Sequence, residues 1–189
     1  MDLDALAGVI SYKHTGESVM TVMAAVDRIT LSRPLVENCD VELSGHVSFA
    51  TGRSSMEVSL QVSPAHAAGR EPASQEPRPK EDVFLECAFT MGSLDPVTKR
   101  AVGIAGSRRR VGPRGDCMRR AHNFMIFGGF LLKSTFELAF TCASAVSHSR
   151  PSFLALDPST FENPVPVGSV LYVSARVAYT DRVVVGVRM

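Results

Sequence analysis

The sequence predicts an α+β protein built from two similar units, each a helix followed by a run of antiparallel strands. Two observations predict this organisation. The same residue types recur at a fixed offset, and each half of the chain has one helical pattern followed by several strand patterns. The offset is 130 positions, both from Asp27 to Asp157 and from Ser44 to Ser174. A period this long indicates two copies of one small domain rather than a solenoid of short repeats.

The first unit is predicted to cover residues 1–106. Apolar residues at helical spacing predict a helix from Asp2 to about Ile10. Apolar runs and apolar–polar alternation predict strands, which lie at 19–25, 27–31, 41–49, 56–62, 83–91 and 101–104. The segment 63–80 is rich in Pro, Ala, Gly, Glu and Arg, and predicts a mobile surface loop.

Residues 107–120 form a basic connector with six arginines, at positions 108, 109, 110, 114, 119 and 120. Three interpretations stay open: a solvated linker, a contact to an anionic ligand such as phosphate, or a localisation or nucleic-acid patch. No aromatic residue interleaves with the arginines, which counts against binding of single-stranded nucleic acid.

The second unit is predicted to cover residues 121–189. It opens with His122 and Asn123, and Gly128-Gly129 then stands where a loop turns into a helix that runs to about residue 146. Such a helix start leaves backbone N–H groups without partners inside the helix. Strand patterns follow at 153–156, 161–164, 169–179 and 183–187.

Composition indicates an ordinary soluble globular protein, with 45% hydrophobic residues, 21% charged residues and a net charge of +1. This near-neutral charge gives no reason to expect nucleic acid or a membrane as a partner. The four cysteines, Cys39, Cys87, Cys117 and Cys142, show no metal-ligand spacing, so we expect neither a metal nor a separate cofactor. No apolar run is long enough to span a membrane, and the start of the chain lacks the features of a signal peptide.

Several strings make the resemblance to a known family specific. In the second unit they are residues 122–133 (HNFMIFGGFLLK), 136–139 (FELA), 149–151 (SRP) and 161–169 (FENPVPVGS). In the first unit they are residues 2–8 (DLDALAG), 25–28 (AVDR) and 52–58 (GRSSMEV). Together they resemble the two hotdog units of the acyl-CoA thioesterase 9 group, in which an antiparallel sheet wraps round a central helix. The resemblance covers most of the chain outside 63–80 and the connector.

The resemblance implies hydrolysis of fatty acyl-CoA thioesters to free acid and coenzyme A, with coenzyme A as part of the substrate. It places Asp4 at the position of a catalytic carboxylate and Asn123 at that of a catalytic amide. A thioester carbonyl becomes an oxyanion when water attacks it, and the amides of Gly128 and Gly129 suit that charge. Asp4 would act as the general base, and Asn123 would orient the water or the carbonyl.

The resemblance also implies a substrate-binding set for the anionic phosphates of coenzyme A, formed by Arg53, Ser54 and Ser55 with His122. Simpler interpretations accompany each of these residues. Asp4 could be an exposed residue near a fraying helix start, and Arg53 part of a plain hairpin turn. Asn123 could be a cap or turn residue, and the glycine pair a site of tight packing.

In the second unit the helix position equivalent to that of Asp4 is Phe136. Its neighbour Glu137 is better interpreted as a solvent-facing or a buried hydrogen-bonded residue than as a second base. The first unit looks shortened at its N-terminal side, and the second stops short of the strands that would close its sheet. We therefore expect a truncated double hotdog that assembles as a homo-oligomer. Family resemblance indicates mitochondria, while the missing presequence leaves the cytosol open.

Two rival functions remain. One is a catalytically inactive hotdog module that binds coenzyme A or a partner subunit. The other is a dehydratase of 3-hydroxyacyl thioesters, for which His122 is the only candidate base.

Overall fold

A computed structural model of the chain describes residues 2–33, 40–65, 83–104 and 128–189. In these ranges the chain forms two α-helices, α1 (Asp2–Thr15) and α2 (Gly128–Ser147). The strands of the same ranges are β1 (Met20–Val26), β2 (Ile29–Leu31), β3 (Val41–Ala50), β4 (Ser55–Pro64), β5 (Leu85–Leu94), β6 (Ala155–Leu156), β7 (Ser159–Thr160), β8 (Arg176–Thr180) and β9 (Val185–Arg188). The α+β class predicted from the sequence is confirmed.

The first helix is longer than its apolar spacing predicts, because it continues from Ile10 to Thr15. It ends at Gly16, whose φ of 82° lies in the left-handed region and whose N–H donates to the carbonyl of Tyr12 at 2.8 Å. Glycine adopts this conformation without steric cost, which makes it a common helix terminator. The last turn also carries the basic residues Lys13 and His14, which suit the negative end of the helix dipole.

An antiparallel sheet wraps round α1, with the strand order β3-β4-β5-β1-β7 and with β2 and β6 paired beside it. One face of α1 packs on this sheet, and its buried residues are Asp4, Ala7, Ile10 and Ser11. Strands β4 and β5 alternate buried and less buried residues, which gives the sheet one core face. Met56, Val58 and Leu60 of β4 are at most 1% exposed. Full burial of such side chains stabilises the fold by about 1.5–3 kcal/mol each.

Four predictions about element bounds are wrong. Ala101 forms only an isolated bridge to Leu94, so 101–104 is not a strand. Strand β4 continues through Pro64 with Ser63 buried, so the predicted loop at 63–80 begins later, and positions 66–80 lie outside the described residues. Of the predicted strand 169–179, only positions from Arg176 onward are extended and paired. Segment 169–175 has no strand partner among the described residues, and Tyr172 is 97% exposed there.

The fourth wrong prediction is the strand at 161–164. The chain instead forms β7 just before it, and the Phe161 N–H donates to the carbonyl of Ala24 at 2.8 Å. Phe161 packs against the core, and Pro164 has no N–H to offer a neighbouring strand. The ladder between β1 and β7 therefore consists of two residue pairs and ends before Phe161.

Strands from the two ends of the chain pair in a reciprocal way. β1 pairs with β7, which sets Ala25 opposite Thr160, and β2 pairs with β6, which sets Thr30 opposite Ala155. Ala155 and Thr160 follow Ala25 and Thr30 by the repeat offset of 130 positions. Replacing each residue of one pair by the residue 130 positions away from it therefore gives the other pair. Such reciprocal pairing is the pattern expected of a twofold interface between like units.

A second structural feature recurs at the same offset. The β3–β4 ladder has a bulge between Val47 and Phe49, and the β8–β9 ladder has one between Val177 and Tyr179. Bulges alter strand twist locally and are specific features rather than defects. The recurrence shows that β3 and β8 share more than a hydrophobic pattern.

Helix α2 and the β8–β9 hairpin pack together beyond the main sheet. Within α2 the buried residues are Gly129 and Ala143. Neither of the two described helices is long and apolar enough to cross a membrane.

Candidate active site

The structure brings Asp4 and Gly129 into direct contact although they are 125 positions apart in sequence. The N–H of Gly129 donates to Asp4 Oδ2 at 2.8 Å. Asp4 is 5% exposed in the first turn of α1, and Gly129 is the buried second residue of α2. The interpretation of Asp4 as an exposed residue at a fraying helix is therefore wrong. A carboxylate from one predicted unit meets the amino end of a helix from the other.

Both glycines are needed for this close approach. A Cβ on Gly129 would lie 2.7 Å from Asp4 Oδ2, and a Cβ on Gly128 would lie 2.7 Å from the Sδ of Met23. Real side chains do not tolerate such separations, so a Cβ on Gly129 must displace Asp4 or the start of α2, and one on Gly128 must displace the Met23 side chain or the start of α2. The tight-packing interpretation of the glycine pair is confirmed, and it coexists with the predicted role in oxyanion binding.

The electrostatics of Asp4 result from two opposed effects. Burial raises the pKa of the Asp4 carboxyl above its ordinary value, while the hydrogen bond from Gly129 lowers it. The first turn of α2 carries no acidic residue of its own, so Asp4 supplies the negative charge at the positive end of this helix. A buried carboxyl with a raised pKa is better matched to proton transfer near neutral pH than a solvated one.

The same hydrogen bond limits what Gly129 can do at the same time. Its N–H already has a partner in Asp4, so it can donate to a carbonyl oxygen only when that bond lengthens or is shared. Bifurcated donation is common at helix termini. The oxyanion role of Gly128 and Gly129 stays a prediction.

The predicted substrate-binding turn lies between β3 and β4 and is held by several hydrogen bonds. Gly52 has a φ of 74°, and the Arg53 N–H donates to Thr51 Oγ1 at 3.1 Å. The Arg53 carbonyl accepts from Ile104 N–H at 2.6 Å. The Ser54 carbonyl accepts at 2.7 Å from an amide of β5. The Arg53 side chain is exposed, and among the described residues no hydrogen bond or ion pair links this turn to Asp4 or Gly129.

Several predicted site residues lie outside the described part of the chain. They are Asn123 and His122, and the arginine connector, for which an anionic-ligand contact was one of three interpretations, lies outside it as well. At the equivalent helix position of the second unit, Phe136 packs edge-on to Phe153 with ring centroids 5.6 Å apart. Glu137 is exposed and pairs with Lys133 at 3.7 Å, which confirms its interpretation as a solvent-facing residue.

A cavity of about 180 Å³ lies away from the Asp4–Gly129 contact, where β1 meets β7. Its lining includes Asp27, Glu57, Thr90 and Thr160. Glu57, Thr90, Ala25 and Thr160 follow one another in register across β4, β5, β1 and β7, so they share one sheet face. That face is opposite to the one that carries the core residues Val58, Phe89 and Val26.

Sequence reasoning missed the part that Met23 plays in this site. Its side chain provides the three atoms nearest to a Cβ built on Gly128. Nothing in the local sequence signals this contact beyond the apolar character of β1. Among the described residues, no group of three or more His, Cys, Asp or Glu side chains is arranged to hold a metal ion.

The curated proteins to which the chain is similar in sequence are named acyl-coenzyme A thioesterases. The chain is 29% identical to the chloroplastic acyl-coenzyme A thioesterase 2 of Humulus lupulus, covering 95% of this chain and 56% of that protein. It is 26% identical to the mitochondrial acyl-coenzyme A thioesterase 4 of the same plant, over 95% of this chain and 47% of that protein. Human mitochondrial acyl-coenzyme A thioesterase 9 is 42% identical over 64 residues, which are 34% of this chain and 15% of that protein.

The resemblance to acyl-CoA thioesterases that the motifs indicated is confirmed by these relatives. The chain spans about half the length of the two plant proteins, at 56% and 47%. The first alignment runs over 254 positions, more than the 189 residues of this chain, so that relative has segments without a counterpart here.

Similarity to solved structures is weak. An acyl-CoA hydrolase from Staphylococcus aureus aligns with a TM-score of 0.42 and 24% identity, over 56% of this chain and 54% of that one. A hexameric broad-specificity acyl-coenzyme A thioesterase aligns with a TM-score of 0.39 and 20% identity, over 55% of this chain and 63% of that one. No protein-family model matches the sequence.

Proposed function

We propose that this protein hydrolyses fatty acyl-CoA thioesters to free fatty acid and coenzyme A, at the contact between Asp4 and the amino end of α2. The observation that carries the proposal is the hydrogen bond from Gly129 N–H to Asp4 Oδ2. It joins a buried acid from one end of the chain to the helix start that the family motifs place opposite it. Relatives named acyl-coenzyme A thioesterases over 95% of the chain support the same reaction.

The proposed reaction is base-assisted attack of water on the thioester. Asp4 takes a proton from the water as its oxygen bonds to the carbonyl carbon, and the carbonyl becomes an oxyanion. Amides at the start of α2 stabilise that oxyanion, and Asn123 positions the water or the carbonyl. When the tetrahedral intermediate collapses, the carbon–sulfur bond breaks and coenzyme A leaves as a thiolate. Asp4 then returns its proton to the thiolate.

We also propose that residues 1–106 and 121–189 are two hotdog units related by a pseudo-twofold axis. The reciprocal pairing of β1 with β7 and of β2 with β6 supports this, because each partner lies 130 positions from its counterpart. The recurrent bulge in β3 and β8 supports it independently. Such an arrangement explains why the acid and the helix start come from opposite ends of the sequence.

Arg53, Ser54 and Ser55 are proposed to bind the phosphates of coenzyme A together with His122. The Arg53 side chain is exposed on a turn whose backbone is fixed by hydrogen bonds, which leaves its guanidinium free to meet a phosphate. A mitochondrial location and a homo-oligomeric assembly complete the proposal. Relatives named as mitochondrial support the first, and large exposed hydrophobic side chains on α2, such as Phe130 and Phe136, support the second.

The direct test is release of free thiol from palmitoyl-CoA and from a short-chain acyl-CoA by the purified chain. We expect turnover in the wild type and a loss of about 10²–10⁴-fold in kcat/KM for Asp4→Asn, since that variant keeps the shape but lacks the base. Asp2→Asn is the matched control, because Asp2 is an exposed acid in the same helical turn. It should change the rate by less than about twofold. Equal losses in both variants would remove Asp4 from the mechanism.

A second candidate is an inactive module that binds coenzyme A without turnover. The engagement of the Gly129 amide by Asp4 favours it, since that amide already has a partner. A rise in the unfolding temperature with coenzyme A, without thiol release from any acyl-CoA, would select this function.

A further inference from the structure

Met23 contacts the helix start that carries the site. It lies in β1, is 9% exposed, and its Cβ and Cγ are 3.0 and 3.3 Å from the position of a Cβ on Gly128. Its Sδ is closer still, at 2.7 Å. The Met23 side chain is thus the surface on which the first residue of α2 rests.

A bulge in β1 gives Met23 this orientation. Met23 pairs with Met91, but Ala25 pairs with Thr90, so Ala24 is an extra residue in the strand. Strict alternation would put Met23 and Val26 on opposite faces, because they are three positions apart. The extra residue sets both on the core face, opposite the buried Met91 and Phe89. Bulges beside functional sites commonly redirect a side chain in this way.

The contact continues without a gap from Met23 to the carboxylate. Met23 touches Gly128, the next residue is Gly129, and the Gly129 N–H donates to Asp4 Oδ2. A displacement of the start of α2 by about 1 Å away from Asp4 would lengthen that hydrogen bond beyond the range in which N–H···O bonds are strong. The distance between Gly129 and Asp4 therefore depends on the volume of the side chain at position 23.

We propose that Met23 is a positioning residue, whose packing on Gly128 holds the first turn of α2 at the separation where the Gly129 N–H reaches the Asp4 carboxylate. Its consequence for catalysis rests on the proposed function, while its consequence for the Asp4–Gly129 hydrogen bond does not.

The charges round Asp4 allow this contact to be measured. The ionisable side chains on the elements packed against α1 are Glu42 and His46 of β3, Glu57 of β4, Glu86 and Cys87 of β5, and Lys133, Glu137 and Cys142 of α2; on α1 itself they are Asp2, Tyr12, Lys13 and His14. The pKa of Asp4 is raised by burial, and lowered by the Gly129 hydrogen bond and by the positive amino terminus. All variants of Met23 share the amino terminus, and loss of burial would lower the pKa of Asp4, so a rise of that pKa in a Met23 variant reports a weaker hydrogen bond from Gly129.

The experiment is a pH titration of the Asp4 carboxyl carbon by ¹³C NMR on the whole chain, with Asp4→Asn used to assign the signal. We expect Met23→Ala to move the Asp4 midpoint to higher pH, because the bond that lowers the pKa weakens. Met23→Leu keeps most of the volume and should titrate like the wild type. Met20→Ala is the control: Met20 is 8% exposed in the same strand, and it pairs with Leu94, three positions from Met91 and so on the opposite face. Its Asp4 midpoint should equal that of the wild type.

A rescue separates positioning from a general loss of stability. Gly128→Ala alone pushes a methyl group against Met23 and should also raise the midpoint. The double variant Met23→Ala with Gly128→Ala puts that methyl group into the space left by Met23, and should return the midpoint towards the wild-type value. Unchanged midpoints in Met23→Ala and Gly128→Ala, or the same shift in Met20→Ala, would overturn the proposal.

Activity gives a separate readout. Where the wild type releases thiol from acyl-CoA, Met23→Ala should lose about 10–100-fold in kcat/KM, and the double variant should recover part of that loss. A wild type without turnover would contradict the proposed function but not the positioning role of Met23, since the NMR titration of Asp4 needs no activity.

Discussion

Two regions of the molecule, 2–104 and 128–189, share residue types at an offset of 130 positions but bury their side chains very differently. Among the described residues, every buried hydrophobic side chain except Ala143 belongs to the first region. Of the 17 large hydrophobic residues that are exposed in the described ranges, 13 belong to the second region, among them Phe136 and Tyr172. The same kind of sequence therefore yields a packed core in one place and an open surface in the other.

The difference shows that burial depends on neighbouring strands rather than on the pattern itself. Helix α1 packs against β1, β3, β4 and β5, whereas α2 packs mainly against α1, β8 and β9 and meets β1 at Met23. Stability should therefore reside in the first region, while the site needs both regions. The four predictions below test that division of roles, from the largest expected effect to the smallest.

Matched phenylalanine truncations should separate the two regions most strongly. Phe89 is 2% exposed in β5, and Phe136 is 45% exposed in α2. We expect Phe89→Ala to lower the free energy of unfolding by about 3–5 kcal/mol, since it leaves a cavity in the core. Phe136→Ala should cost less than about 1 kcal/mol, the value of its aromatic contacts. Denaturant unfolding measures both, and equal costs would contradict a core confined to the first region.

A second comparison tests the contact between the regions. Gly129→Ala should cost about 1–3 kcal/mol of stability, because its methyl group meets the Asp4 carboxylate. Gly8→Ala is the control, since a Cβ on Gly8 has no atom within 4 Å. Gly8 lies inside α1, so alanine there should stabilise by about 0.5–1 kcal/mol. If thermal unfolding shows Gly129→Ala to be neutral, the two helices do not meet as described.

Serine substitutions in the two helices should differ by less. The Ser11 hydroxyl in α1 is fully buried and has no hydrogen-bond partner in the described part of the chain, whereas Ser144 Oγ in α2 donates to the Phe140 carbonyl at 2.8 Å. Ser11→Ala removes an unsatisfied polar group and raises helix propensity, so it should stabilise by about 1 kcal/mol. Ser144→Ala should change stability by less than about 0.5 kcal/mol. Destabilisation by Ser11→Ala in chemical denaturation would indicate that its hydroxyl has a partner.

The smallest expected effect is a pH dependence that comes from Asp4. Its folded-state pKa is raised above the ordinary 3.8, so the folded chain holds the proton more tightly than the unfolded chain. Stability that is present below pH 3.8 is then lost as the pH rises through the folded-state pKa. The unfolding temperature of the wild type should therefore fall relative to that of Asp4→Asn over this window. Phe136→Ala removes no ionisable group, so its unfolding temperature should differ from that of the wild type by the same amount at every pH. If the unfolding temperature of Asp4→Asn also differs from that of the wild type by a constant amount, Asp4 is not buried as described.

Local patterns predicted the long strands of the first region well, because each carries its own apolar run or apolar–polar alternation. The alternation over 41–49 and 56–62 gave the β3–β4 hairpin, and Ser44 lies in β3 as expected. The extension of α1 to Thr15 was missed, since Tyr12 to Thr15 add little apolar periodicity. Strands at 161–164 and 169–175 were predicted from residue type alone, and strand formation also needs a partner that type does not reveal.

The site divides in a similar way. The types of Asp4 and Gly129 and their expected meeting followed from the resemblance to acyl-CoA thioesterases, and the structure brings the two together. The packing of the start of α2 on Met23 could not be predicted, because it depends on the extra residue Ala24 in the β1–β5 ladder. The roles of Asn123 and His122 stay predictions.

The most direct test of the account is a crystal structure with a fatty acyl-CoA analogue in which a methylene group replaces the thioester sulfur and the carbonyl is kept. We predict that the carbonyl carbon lies about 3–4 Å from a water held by Asp4, between α1 and the start of α2. An analogue whose carbonyl binds elsewhere, for example in the cavity lined by Asp27 and Glu57, would contradict the proposal that the two regions share one catalytic site.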